Sequence, residues 1–334
     1  MVDVTVMRVV HHLCKNLPIV GEKCVVSTEI ERIDRRTAQA WAKGMSVDEY
    51  LRRERFLKTR PFSQGLTVHA LLDDNGDIIL ASCETYRVPV TIPGRTTPGF
   101  GVGIASVFVD ENQRGHGYAA ELMRLLHREL ADEGAALCYL MSEIGPTLYA
   151  RLGYVTCPLR LRRYAAKPPT QTTNARLFTE SELPRVLLEL APPLHSPLHI
   201  PPTVEQLDWH LSRGRFVARL VGQQFPAEVG AQSGSAVAVW EPDLRPNVRR
   251  LRILLLAATT ASPNLEDVSA VLDAATALAH RLEVPVVEVW ESAALEPLLE
   301  GGVVHKADDV PMMLPLASDV VPTDFRDCQR YHWL

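Results

Sequence analysis

Apolar residues recur at three- and four-residue steps through Ala119, Leu122, Met123, Leu126 and Leu130, which predicts a helix with one buried face. The apolar run Phe100 to Val109 before it reads as a strand, and Gly115 and Gly117 interrupt the pattern between the two. Residues 35–58 carry two helical patterns broken near Gly44. Ser46 is placed to cap the second, with Glu49 three residues on as in a capping box. Thr67–Leu72 and Ile78–Tyr86 read as strands around Asp73-Asp74-Asn75-Gly76-Asp77, a hairpin signal. Residues 4–10 alternate weakly, as a first strand would, and Pro89–Pro98 reads as an irregular loop. Leu137–Met141 reads as a strand and Ser142–Pro146 as a turn. Thr147–Leu152 reads as a short helix capped by Gly153, and another strand begins at Tyr154.

Beyond residue 166 the pattern weakens and then returns. Lys167–Thr173 is polar and proline-bearing, which places a linker there, and Ala191–Pro202 holds five prolines. Phe216–Val221, Ser235–Trp240, Arg250–Ala257 and Pro285–Trp290 read as strands, residues 265–282 as a helix, and Leu295–Glu300 as a short helix ended by Gly301-Gly302. The expected division is a first domain over 1–166, a linker and proline-rich segment over 167–203, and a second domain over 204–334.

The strand–glycine turn–helix unit carries the first chemical inference. Helix N-termini present free N–H groups backed by the helix dipole, and these bind phosphate oxygens. Glycine lets a ligand approach the main chain. Arg114-x-x-Gly117-x-Ala119 therefore reads as a pyrophosphate seat. It lacks the lysine–serine/threonine pair of a nucleotide P-loop and does not follow Gly-x-Gly-x-x-Gly.

That seat after Val107-Phe108-Val109, followed some thirty residues on by Tyr149-x-x-x-Gly153-Tyr154, resembles the GNAT acetyltransferases over roughly residues 1–165. A narrower resemblance, to the fungal lysine N6-acetyltransferases, is carried by four stretches and the chain end. The stretches are Gly65-Leu66-Thr67-Val68-His69, Ser82-Cys83-Glu84-Thr85-Tyr86, Gly103-Ile104-Ala105-Ser106-Val107-Phe108 and Ser142-Glu143-Ile144-Gly145, and the chain end is Tyr331-His332-Trp333. The resemblance implies an α/β (α+β) GNAT fold, acetyl-CoA as co-substrate, and acetylation of the side-chain amine of free lysine. It implies that Val107, Phe108 and Val109 pair with the pantetheine arm, the Val109 N–H serving as oxyanion donor. Arg114, Gly115, His116, Gly117, Tyr118 and Ala119 would hold the pyrophosphate, and Tyr149 would protonate the leaving thiolate.

The second half echoes the first. Glu143 precedes Gly153 by ten residues and Glu291 precedes Gly301 by ten; thirty-eight residues before those glycines lie Gly115 and Pro263. There the second half reads Ser262-Pro263-Asn264-Leu265-Glu266-Asp267, and acids at a helix start satisfy the dipole themselves and repel phosphate. The expectation is a second, degenerate GNAT-like domain without the cofactor seat, covering the first domain and shaping its substrate pocket.

Acetyl transfer needs a neutral amine, a donor for the oxyanion and a proton for the thiolate. Neutralising a lysine side chain at pH 7 costs about 4.6 kcal/mol from its free pKa of about 10.4. The strand Gly99–Val109 contains no acid, so the glutamate that some relatives place there has no counterpart. Glu84 and Glu143 are the candidate bases or ammonium ligands, with His69 a third candidate. Tyr86, Trp333 and Leu334 join Glu84 and Glu143 as candidate substrate contacts. Arg87 and Arg95 are candidate carboxylate clamps. The bulky tail Tyr331-His332-Trp333-Leu334 is expected to fold over the pocket, as an anchor or with its carboxylate acting as a base, as in the tandem-GNAT myristoyltransferases.

Bulk properties narrow the partners. The 334-residue chain is 46% hydrophobic and 22% charged, with net charge −5 and sequence pI near 6.1. That gives no general reason to expect nucleic acid or an anionic membrane. No run of eighteen apolar residues and no secretory signal pattern is present, and the six scattered cysteines form no Cys-x-x-Cys pair. A cytoplasmic protein with free thiols and no metal is expected, His11-His12-x-Cys14 lacking a partner cluster. The alternatives are acetylation of another small amine (a polyamine, an aminoglycoside or a modified amino acid), a protein-lysine acetyltransferase, or a non-catalytic acyl-CoA-binding module.

Overall fold

The computed structural model describes residues 7–10, 28–169, 174–192 and 196–334. His11, His12, Cys14 and Cys24 lie outside them. The first half contains β1 (Met7–Val10), α1 (Thr28–Trp41), α2 (Val47–Lys58), β2 (Leu66–Leu72), β3 (Ile79–Val90) and β4 (Gly99–Phe108). It continues with α3 (Tyr118–Asp132), β5 (Leu137–Ser142), α4 (Thr147–Ala150), β6 (Val155–Thr156) and β7 (Leu159–Ala165). The second half contains β8 (Arg176–Thr179), α5 (Leu183–Leu188), α6 (Val204–Leu220), β9 (Glu228–Ser233), β10 (Ala236–Asp243) and β11 (Arg250–Ala258). It ends with α7 (Leu265–Arg281), β12 (Val286–Ser292), β13 (Val303–Lys306) and β14 (Val310–Pro315).

Local chemistry explains the elements that the pattern predicted. Ser46 and Glu49 form the reciprocal capping box: the Ser46 N–H donates to Glu49 Oε2 (2.7 Å) and the Glu49 N–H to Ser46 Oγ (3.3 Å). Leu122, Met123, Leu126 and Leu130 are the buried stripe of α3. Other expectations needed correction. β3 runs on to Val90 through the expected loop, because Val88 and Val90 point inward and pair with β4 while Arg87 and Pro89 point out. The expected strand Phe216–Val221 is the last part of α6; its apolar run is too short to separate helix from strand, and the Thr203 cap starts the helix well upstream. The segment 167–203, read as a linker, carries β8 and α5. β9, β13 and β14 were not anticipated.

Among the described residues, two seven-stranded sheets result, ordered β1-β2-β3-β4-β5-β14-β6 and β13-β7-β12-β11-β10-β9-β8. Each has one parallel pair, β4 with β5 and β11 with β12. The halves exchange strands: β14 lies between β5 and β6, and β7 lies between β12 and β13. The two sheets are therefore built alike, although the boundaries 1–166 and 204–334 divide the chain rather than the sheets. α6 docks the second half on the first. Arg60 holds Asp208 through two nitrogens (2.9 and 2.6 Å), and Trp209 packs edge-on against Phe62 and Tyr86.

Candidate active site

The β4–β5 ladder ends at Ile104–Leu140 although both strands continue. Ser106 has a left-handed backbone (φ 53°) beside a register shift in the β3–β4 pairing, so β4 bends where it leaves its neighbour. The splay opens a cavity of about 600 Å³.

At one part of its lining, Arg114, Gly115, Gly117, Tyr118 and Ala119 lead into α3. Gly115 (φ 82°) and Gly117 (φ 84°) are left-handed, and a side chain at either position would meet nothing within 4 Å. Gly117 caps α3 without a side chain, so the first amides of the helix have no side-chain acceptor. Arg114 Nε donates to the Val109 carbonyl (3.2 Å), which draws the turn back to the end of β4. This open, uncapped cradle fits a diphosphate. The matching start of α7 does not. Asn264 accepts the Glu266 N–H there (2.9 Å), and Asp267 accepts the Ser235 N–H (2.8 Å). His116 stacks on Tyr118 (5.5 Å between centroids) and is not part of the cavity lining.

Val107, Phe108, Val109, Tyr149, Glu84, Tyr86, Glu143, Trp333 and Leu334 line the same cavity. Tyr149 is buried at 6% exposure, and burial pushes its phenol above the usual value. Glu84 is not a free carboxylate. Lys58 Nζ lies 3.1 Å from its Oε1, and the Ser106 hydroxyl donates to its Oε2 (3.0 Å). Lys58 also donates to Asp34 Oδ1 (2.9 Å) and lies 3.9 Å from Glu54. Burial, reinforced by the Glu84 and Glu54 charges against that of Lys58, pushes Asp34 up to about 7. Burial also acts to raise Glu54, but the Arg53 and Lys58 charges outweigh it and hold Glu54 below the usual range. Glu143 is exposed at the rim and paired with Lys43 (2.9 Å).

Three sequence candidates lie elsewhere. His69 hydrogen-bonds Thr85 Oγ1 (2.9 Å) and does not line the cavity. Arg87 stacks on Phe100 (3.4 Å) and Arg95 pairs with Asp319 (2.7 Å), both away from it. Sequence reasoning missed Arg53, Glu54, Trp209 and Arg213, which also line the cavity. Their helices lie far from the phosphate turn in the chain, and no local pattern marks them.

The tail reaches the pocket as expected. Tyr331 donates to the Ile200 carbonyl (2.7 Å), and its own carbonyl accepts from Gln206 Nε2 (2.9 Å). His332 Nδ1 accepts the Gln329 N–H (3.0 Å) while its Nε2 contacts the Ile200 carbonyl (3.2 Å), so the ring is seated as a neutral donor–acceptor. Leu334 packs against Gly103, where a side chain would also fall 2.7 Å from the Tyr139 hydroxyl. Among the described residues, no group of three or more His, Cys, Asp or Glu could hold a metal, and no helix is long and apolar enough to cross a membrane.

Residues 27–157 match the family described as Acetyltransferase (GNAT) domain, and residues 179–313 match the family described as LYC1 GNAT-like C-terminal domain. A search of curated proteins finds no match. Solved structures of similar fold include a probable N-acyltransferase from Enterococcus faecalis (13% identity, 88% of this chain and 71% of that one, TM-score 0.58). A GCN5-related N-acetyltransferase from Anabaena variabilis is also similar (13%, 87% and 72%, 0.58), as is Eis1 from Mycobacterium abscessus (15%, 93% and 74%, 0.54). At these identities the likeness is one of fold, extending over both halves.

Proposed function

This chain belongs to the GNAT superfamily, an acetyltransferase domain followed by a LYC1 GNAT-like C-terminal domain, and on that premise we propose that it acetylates the side-chain amine of free L-lysine from acetyl-CoA. The observation that carries this reading is the shared cavity. One space is lined by an uncapped, glycine-led helix start and by a set of buried carboxylates. Glu84 and Glu54, with Glu143 at the rim, offer carboxylates to a cationic acceptor on that side of the space.

Acetyl-CoA supplies the activated thioester carbonyl. The amides from Gly115 to Ala119 and the Arg114 guanidinium hold the diphosphate. The Val109 N–H donates to the carbonyl oxygen as charge gathers there. Glu84 binds the amine and takes its proton, with Lys58 and Ser106 fixing the carboxylate, while Glu143 at the rim draws the cation in. Tyr86 and the tail residues Trp333 and Leu334 wall the acceptor side and exclude water. Tyr149, its phenol raised by burial, keeps its proton until the sulfur becomes negative and then donates it.

The test is to incubate the protein with acetyl-CoA and a panel of free amines and to follow thiol release. Turnover of lysine is expected. Turnover of another amine with none of lysine would overturn the acceptor, and no release with any amine would overturn the transferase reading.

A further inference from the structure

Arg213, in the middle of α6, comes from the second half yet lines the 600 Å³ cavity. It also lines an adjoining chamber of about 220 Å³ between the two halves, so its guanidinium stands where the two spaces meet. The other arginines of these spaces are committed. Arg53 binds Glu54, Arg114 binds the Val109 carbonyl, and Arg245 and Arg252 bind Asp243. Arg250 binds Glu288 and Arg330 binds Asp309. Among the described residues, Arg213 has no hydrogen bond and no ion pair. Its one close partner is the Trp333 ring, 4.5 Å from Cζ to centroid, a contact that uses none of its N–H donors.

The guanidinium is half-buried, and its five donors are open to a ligand entering the cavity. Burial lowers its pKa to about 9, and the Arg53, Arg252 and Arg245 charges add to that against Glu241. The acids whose charges act on it, Glu54, Glu241 and Asp243, are engaged by Arg53, Arg252 and Arg245. A planar fork of free donors at the edge of the acceptor cavity is matched by a carboxylate. The cavity then has two poles, carboxylates at Glu84 and Glu54 for an amine and a guanidinium at Arg213 for an acid.

We propose that Arg213 binds the α-carboxylate of an amino-acid acceptor, with Trp333 holding the guanidinium plane, so that the second domain selects amino acids over simple amines. This rests on the acetyltransferase reading but not on lysine being the acceptor. Arg213 takes the place that Arg87 and Arg95 were expected to fill.

The test compares lysine with 1,5-diaminopentane, which is lysine without its carboxylate, in the intact protein and in Arg213→Gln and Arg213→Lys. The wild type should prefer lysine. Arg213→Gln should raise the KM for lysine about 30-fold, as loss of a charge-assisted pair does, and leave the diamine and coenzyme A affinity nearly unchanged. Arg213→Lys should recover part of the preference. An unchanged lysine KM in Arg213→Gln, or an equal loss for both substrates, overturns the assignment. If the wild type uses ornithine in place of lysine, the lysine reading falls, and ornithine against 1,4-diaminobutane decides Arg213 in the same way. If it prefers diamines throughout, the assignment of Arg213 falls while the transferase stands. If no amine is turned over, calorimetry of lysine with the coenzyme A complex decides: heat lost in Arg213→Gln upholds the site, and no heat or equal heat removes it.

Discussion

Lys58 Nζ lies 3.1 Å from Glu84 Oε1, so the carboxylate proposed as the base is already held by a buried cation. The same ammonium serves Asp34 at 2.9 Å, and both ends of that pair are about 5% exposed or less. Removing one partner of a buried charge cluster leaves the others uncompensated. Lys58→Met is therefore expected to destabilise the fold by about 3–5 kcal/mol. Chemical denaturation measures this, and a loss below about 1 kcal/mol would mean that the three carboxylates do not depend on Lys58.

Tyr149→Phe keeps the ring that packs against Tyr154 (5.7 Å between centroids) and removes only the hydroxyl. Turnover should fall by about a hundredfold, the usual worth of a positioned acid, with acetyl-CoA affinity little changed. Equal turnover would take Tyr149 out of its acid role.

Gly117 holds φ 84° in open space, so an added methyl group strains the backbone without striking a neighbour. Gly117→Ala should cost about 1 kcal/mol through that strain and turn the first α3 amides away from their present directions. Calorimetric affinity for coenzyme A should drop by about tenfold or more. Unaltered affinity would show that the α3 start does not hold the diphosphate.

His332 and His210 are each depressed by burial to about 3, against an ordinary value near 6.5. Below pH 6.5 the unfolded chain takes up protons that these folded rings refuse. Their stabilising contribution is complete above pH 6.5 and is lost as the pH falls toward 3, by about 1.4 kcal/mol per pH unit for each ring. His332→Gln should make the decline below pH 6.5 shallower by one proton. Urea midpoints at pH 7, 6 and 5 read this directly, and parallel slopes for the two proteins would contradict it.

Much of the first domain could be read from the chain because its signals are local. The stripe of α3 lies within one helix, the capping box spans four residues, and the glycines of the phosphate turn adjoin the helix they open. The degenerate start of α7 was equally visible, since Asn264 caps it from within its own turn and Glu266 and Asp267 put acids there. What no local pattern carried was the exchange of β7 and β14, whose pairing partners lie more than a hundred residues away. The same limit hid Lys58 under Glu84 and Arg213 beneath Trp333. A side chain's partners across an interface depend on how α2, α6 and the tail pack together, and hydrophobic periodicity records only which face of each element is buried. Thus the open glycine turn before α3 was written in neighbouring residues, whereas the cavity beside it was assembled by packing two halves that meet only in the folded molecule.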